Sequence, residues 1–99
     1  MKIIQEYVDK IADELAGAKD YAEKYVYNKA KGESNRASQF KAMAQTELEH
    51  AMIIHQMAVG EIEAINTAFV PPDEMKKAWE DAHTHYVEQS AWIKQMLTM

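Results

Sequence analysis

Apolar residues recur along this chain at intervals of three and four positions, and no segment alternates with the period of two that is typical of a β-strand. In the first third of the chain the row reads Ile4, Tyr7, Ile11, Glu14, Ala18, Tyr21 and Tyr25. In the middle third it reads Phe40, Met43, Glu47, His50, Ile54 and Met57. In the last third it reads Met75, Trp79, Ala82, Tyr86, Ile93 and Met96. Such rows form one face of an amphipathic helix, so the pattern predicts three helices.

Two short segments interrupt the helical pattern. Gly32 is followed by Ser34 and Asn35, and this order ends one helix and starts another, because glycine tolerates the left-handed conformation and Ser or Asn caps a helix N-terminus. Pro71 and Pro72 form the second break, since a residue before proline is pushed away from helical angles and a first-turn proline is tolerated.

These breaks predict helices at about residues 2–31, 35–69 and 72–97, within a single domain at residues 1–99. Short connections force neighbouring helices to run antiparallel. Gly60 lies inside the second helix and leaves open whether that helix bends or ends early. The predicted fold is all-α, an antiparallel helical bundle of three helices.

Composition excludes several classes of function. Eleven Lys and Arg against sixteen Asp and Glu give a net charge of −5, which a nucleic-acid backbone would repel. The absence of cysteine excludes disulfides, thiolate metal sites and iron–sulfur clusters. The longest apolar runs are far shorter than the ~20 residues that cross a bilayer, and an apolar signal core is missing. We therefore expect a cytoplasmic protein that binds neither nucleic acid nor membrane.

Carboxylates interrupt two of the apolar rows. Glu14 lies in the first, and Glu47 lies in the second with His50 three residues later on the same face. A carboxylate turned into a core is costly unless it is paired or bound to a metal. Glu-x-x-His on one bundle helix opposite a Glu on another is a ligand arrangement of di-iron and di-manganese proteins. Each residue taken alone is ordinary in an acidic helix, and Lys10 is an alternative partner for Glu14.

Five further residues are weaker candidates. Glu80 and His83 repeat the Glu-x-x-His spacing, but on a face that we expect to be mostly solvated. Glu88 lies beside the apolar row of the third helix and is a better candidate ligand. His55 lies on a flanking stripe and fits a histidine at the edge of the core better than a ligand. Tyr21 lies two turns beyond the first carboxylate and can offer a phenol to the site, so it is the candidate catalytic residue.

The spacing of these residues resembles that of rubrerythrins, in the ferritin-like superfamily. Tyr21 follows Glu14 by seven residues, and the segment Glu47-Leu48-Glu49-His50 begins 33 residues after Glu14. Glu88 with Trp92 resembles the third helix of the same family. The resemblance covers most of the chain and is specific in the first helical hairpin. It implies Glu14, Glu47, His50 and Glu88 as metal ligands, and an activity of ferrous iron oxidation or of peroxide or dioxygen reduction.

The chain also departs from that family. Ala91 stands where the third helix usually carries a second acid, and neither a fourth helix nor a cysteine-ligated rubredoxin module is present. Two copies of Glu14, Glu47 and His50 would supply four carboxylates and two imidazoles. We therefore expect a homodimer, or a higher oligomer, that shares two iron ions between subunits and completes a four-helix site. Manganese and zinc are alternatives to iron.

The sequence allows more than one source of electrons and more than one function. Without a rubredoxin module, electrons come from iron itself or from a separate electron donor, which makes sustained peroxidase turnover the weaker option. The chain could instead be a metal-free helical module that binds another helix through its methionine-rich faces. A third option is a ferritin-like protein whose site has decayed. The assignment as an oxidoreductase therefore depends on whether metal binds.

Overall fold

A computed structural model describes residues 2–99 of the chain, and Met1, the first residue of the predicted domain, lies outside this range. The described residues form three α-helices and no β-strand, which confirms the all-α prediction: α1 (Lys2–Ala30), α2 (Ser34–Ala68) and α3 (Asp73–Met96). Each predicted helix boundary lies within one residue of the observed one, and α2 continues through Gly60. The molecule is a rod of 55 × 17 × 17 Å. Within residues 2–99, none of the helices has a stretch long and apolar enough to span a bilayer.

The turn between α1 and α2 is closed by two backbone hydrogen bonds. The Glu33 N–H donates to the Asn28 carbonyl at 2.9 Å, and the Gly32 N–H donates to the Lys29 carbonyl at 3.1 Å. Gly32 has φ 78°, so the chain needs a residue that tolerates the left-handed region there. The prediction that Gly32 ends the first helix is confirmed.

The predicted capping of α2 is wrong. Ser34 is the first helical residue, Glu33 takes the N-cap position, and no side chain of the described residues caps this end. The physical reason is the tight closure after α1, which returns the chain to helical geometry one residue earlier than the sequence pattern suggested. At the other break, α3 begins at Asp73, and the Pro72 carbonyl accepts hydrogen bonds from the next turn.

A row of small residues forms the centre of the interface between α1 and α2. α2 buries one residue in every seven, and these are Ala37, Ala44, Ala51, Ala58 and Ile65. The buried residues of α1 include Ile4, Ile11, Leu15, Ala18, Ala22 and Tyr25, as the predicted row of that helix requires. The predicted buried row of α2 is wrong at Met43 and Met57, whose side chains are 42% and 51% exposed. Close contact between two helices selects alanine over the larger methionine.

α3 covers one side of the α1–α2 hairpin. Its residues Ile93, Met96 and Leu97 are buried in the main core, and Met75 is buried at the far end against Ile4 and Ile65. Partly buried residues of the predicted α3 row, Trp79 and Tyr86, also pack against the main core. The hairpin therefore has a covered side, formed by α3, and an open side.

Candidate metal centre

Three of the predicted ligands meet on the open side of the hairpin, near the midpoints of α1 and α2. Glu14, Glu47 and His50 each offer one ligand atom, and these atoms all lie within 4.8 Å of one another. The Nδ1 atom of His50 is 3.5 Å from Oε2 of Glu14. In residues 2–99 this is the one group of three or more His, Asp and Glu side chains gathered in this way. The structure thus brings together the carboxylates and the imidazole that the sequence singled out.

The geometry of the α2 helix explains why Glu47 and His50 lie on the open side. Successive helical residues are about 100° apart, so the buried alanine row separates Leu48 and His55 from Glu47 and His50. Leu48 and His55 face α3. Glu47 is therefore half-buried at the edge of the interface, and His50 is more exposed, with 49% of its side chain accessible.

A glycine in α1 makes room for the Glu47 carboxylate. A Cβ atom placed on Gly17 would lie 3.3 Å from Oε2 of Glu47, which is tighter than an ordinary van der Waals contact. Gly17 does not have a positive φ, so backbone conformation does not require glycine here. The glycine instead lets a carboxylate from α2 approach the backbone of α1, one turn after Glu14.

The two carboxyl groups shift each other's pKa in opposite directions. A hydrogen bond between them is the largest influence on both: it lowers the pKa of Glu14, which accepts, and raises the pKa of Glu47, which donates in its protonated form. Burial further raises the pKa of Glu47, and the nearby Lys10 and His50 further lower that of Glu14. Two carboxyl groups this close repel each other when both are ionised, and a cation between them can neutralise that repulsion.

Lys10 is the alternative partner that the sequence offered for Glu14, and the structure shows that contact. Its Nζ atom lies 3.5 Å from Oε1 of Glu14, while the lysine side chain is 59% exposed and the glutamate side chain 12% exposed. An exposed lysine contributes little to such a pair because solvent screens it. The lysine therefore compensates the charge of the two carboxyl groups only weakly.

Tyr21 lines an open groove next to the cluster. The groove has a volume of about 220 Å³, and its walls are Tyr21, Ala42, Met43, Thr46 and Glu47. The Tyr21 ring stacks on Phe40 with ring centres 6.2 Å apart, which fixes its position. A phenol and a carboxyl group thus share one solvent-open space large enough for a small molecule.

Glu88, the fourth predicted ligand, is not part of this cluster. It is exposed on α3, and so is Glu80. α3 turns Tyr86 and Ile93 toward the core, and Glu88 is about 200° around the helix from Tyr86. Moreover, α3 covers the side of the hairpin that His55 faces, away from Glu47. One chain therefore gathers three of the four predicted ligands.

A histidine pair between α2 and α3 was missed from the sequence. His55 is half-buried at the edge of the core, as expected, but its Nε2 atom lies 2.9 Å from Nδ1 of His83. A signal was available, because the two histidines lie at equal distances in sequence on either side of Phe69, where the break begins, and antiparallel helices bring such positions together.

Comparison of the chain with protein-family models, with curated proteins and with solved structures finds no match. The resemblance to rubrerythrins therefore rests on the residues of the chain alone.

Proposed function

We propose that this protein binds iron through Glu14, Glu47 and His50, and that a second copy supplies the same three residues to complete a ferritin-like di-iron centre. The observation that carries this proposal is the convergence of two carboxyl groups and one imidazole on atoms within 4.8 Å of one another. The predicted reaction is oxidation of ferrous iron, or reduction of peroxide or dioxygen. We also propose that the protein is located in the cytoplasm.

The donor set fits this class of metal. Carboxylate oxygens and imidazole nitrogen suit iron and manganese, and zinc shares the same ligands. The raised pKa of Glu47 favours its protonated form beside Glu14, and a cation would replace that proton with relief of the repulsion between the carboxylates. Gly17 leaves space for the second carboxylate, so the site needs no rearrangement of the helix backbone.

A single chain provides only half of the ligands of a dinuclear site. Four-helix di-iron sites use two helices with one Glu and two helices with Glu-x-x-His. α1 and α2 provide one helix of each kind, so a twofold dimer on the open side of the hairpin would complete the set. Met43 and Met57, which lie seven residues on either side of His50, are exposed apolar side chains on that side. A second copy would cover them.

Each residue of the candidate site has a chemical role in this proposal. Bound iron would supply the one-electron chemistry. Glu14 and Glu47 would bind the cation in place of the proton on Glu47, and His50 would contribute a neutral nitrogen donor. Tyr21 would hold a proton at its phenol oxygen inside the groove that Glu47 also lines, where a small oxidant has access. Electrons would come from iron itself or from a separate electron donor.

Anaerobic Fe²⁺ titration, combined with the mass of the protein in solution, tests this function. We expect about one iron per chain, or two per dimer, in the wild-type protein. Glu47→Gln and His50→Gln should each weaken binding by about tenfold or more, since each removes a ligand. Glu49→Gln is the matched control, because Glu49 is exposed and lies outside the cluster. Admission of air should then oxidise the bound iron faster than iron in buffer.

Two results would contradict the proposal. One is equal Fe²⁺ affinity for the wild-type protein and Glu47→Gln. The other is loss of iron in Glu88→Gln, which would make α3 rather than a second copy the source of further ligands. A control measurement of unfolding without metal distinguishes loss of a ligand from loss of the fold.

A second candidate function is binding of a partner helix without metal. The exposed methionines on the open side favour it, because an apolar face rimmed by polar residues is typical of helix-in-groove recognition. Iron would then leave the melting temperature unchanged, whereas a specific metal ligand raises it.

A further inference from the structure

Two histidines from different helices meet on the covered side of the hairpin. The Nε2 atom of His55 on α2 lies 2.9 Å from Nδ1 of His83 on α3. The His55 ring stacks on Tyr86 with ring centres 4.2 Å apart and planes 12° apart, and Trp79 lies 5.2 Å away on centres. Two aromatic neighbours thus hold the His55 ring in place, with one nitrogen directed at His83.

We infer that His55 and His83 form a second metal site, which takes a borderline divalent cation such as Ni²⁺, Cu²⁺ or Zn²⁺ and ties α3 to α2. The two nitrogens already face each other at 2.9 Å, the distance of a hydrogen bond in which one ring donates and the other accepts. Imidazole nitrogens bind such metals at ~2.0–2.1 Å, which places two of them ~3.3 Å apart in tetrahedral geometry. His83 is exposed, so it can move by the few tenths of an ångström required.

The chemistry of this site differs from that of the carboxylate cluster. Its two donors are neutral imidazoles, and in residues 2–99 no carboxylate joins them to form a group of three potential ligands. Neutral nitrogen donors favour borderline cations over the hard cations that carboxylates prefer. Burial and the neighbouring His83 lower the pKa of His55, which keeps its ring unprotonated and available to bind.

The position of the pair indicates what metal binding would do. α3 meets α2 through few residues, and His55 is the one that touches Trp79, His83 and Tyr86. A cation held by both histidines would add a cross-link between the helices and stabilise the folded chain according to its affinity. The pair is separated from Glu47 and His50 by the buried alanine row of α2, so the two sites are independent.

Thermal unfolding of the full chain with NiCl₂ as the probe tests this inference. We expect the melting temperature of the wild-type protein to rise by about 5–10 °C once free Ni²⁺ exceeds its Kd tenfold. His83→Gln should lose most of that rise. His85→Gln is the matched control: His85 is also an exposed histidine of α3, but it makes no contact with His55 among the described residues. It should keep the full rise.

Further measurements make the result decisive. His83 is exposed, so we expect His83→Gln to fold, and equal melting temperatures in chelator would verify this. His50→Gln should keep the Ni²⁺-dependent rise even though it loses iron, which separates this inference from the proposed function. With one equivalent of Cu²⁺, electron paramagnetic resonance should show nitrogen couplings that His83→Gln reduces. A Ni²⁺-dependent rise that His83→Gln keeps and His50→Gln loses would overturn the inference, as would no rise at all.

Discussion

The carboxylate of Glu47 occupies space that a side chain at Gly17 would need, with Oε2 only 3.3 Å from the position of a Cβ atom. A residue without a side chain on α1 thus helps to set the position of a candidate ligand on α2. The relationship is local, because the glycine backbone is helical and carries no positive φ. Binding and stability should therefore respond differently to a methyl group at this position.

Gly17→Ala should weaken metal binding without destabilising the fold. Alanine is favoured over glycine inside a helix by about 0.5–1 kcal/mol, and the Glu47 carboxylate can move away because its side chain is flexible. We expect the metal-free variant to be at least as stable as the wild-type protein, and its Fe²⁺ affinity to fall about tenfold. Chemical unfolding and Fe²⁺ titration measure the two effects. In the control Gly60→Ala nothing lies within 4 Å of the new methyl group, so affinity should not change; equal affinities for both variants would refute the role of Gly17.

Glu47→Gln should change how the stability of the metal-free protein depends on pH. The pKa of Glu47 is raised in the folded state, so its contribution to stability is complete below the ordinary pKa of glutamate and is lost as pH rises through the raised value. Glutamine keeps an N–H donor for Glu14 and gains no charge. At pH 8 in chelator the variant should therefore be more stable than the wild-type protein by about 0.5–2 kcal/mol, and the difference should shrink at pH 4.

Urea unfolding between pH 4 and pH 8 measures this effect. The lowered pKa of Glu14 has the opposite sign, since its contribution is lost as pH falls, but both proteins retain a donor to Glu14 and share that contribution. Saturating Fe²⁺ should reverse the order of stability, because only the wild-type protein keeps both carboxylates. A constant difference across the pH range would show that the carboxyl groups do not shift each other's pKa.

Charge on the open side of α2 should prevent self-association. Met43→Glu and Met57→Glu place a carboxylate on either side of His50, where a second copy would bury it at high cost. We expect each to weaken dimerisation by about tenfold or more in sedimentation equilibrium. Met52→Glu is the control, since Met52 is 44% exposed but lies toward the α3 side of the helix. If Met52→Glu had the larger effect, the copies would meet on the other side of the hairpin.

Ala51→Leu should destabilise the hairpin. Ala51 is fully buried in the alanine row, and added methylenes in a filled interface cost about 1–3 kcal/mol. Ala64→Leu adds the same atoms to an exposed position of the same helix and should change the free energy of unfolding by no more than about 0.5 kcal/mol. Urea unfolding of both variants checks the difference, and equal stabilities would mean that the helices do not meet at the alanine row.

The sequence predicted the helices and the cluster because both depend on local spacing. Gly32 and Pro71 mark the breaks, and the lengths of α1 and α2 between them bring Glu14 opposite Glu47. The buried row of α2 was misassigned because methionine is the more hydrophobic side chain, whereas close contact between helices depends on small size. The repeat of alanines at intervals of seven was visible and would have given the correct face.

The rotation of α3 about its axis could not be predicted in the same way. Which face of a third helix turns inward depends on how it fits two others, and here Ile93 and the buried Ser90 turn inward while Glu88 remains exposed. The positions of His55 and His83 along the chain place them at the same level of the bundle, but whether their rings meet depends on the same fit. Residues whose environment is set by helix-to-helix geometry thus lie beyond what spacing within one helix can indicate.

The cluster lies about halfway along a rod 55 Å long and 17 Å wide. In the proposed dimer, a twofold axis through that point, either parallel or perpendicular to the rod, would superpose two such rods over their entire length. Ligands near one tip would instead leave most of each rod overhanging, with little area in contact. In that dimer, the central placement would let one small group of side chains align two long surfaces.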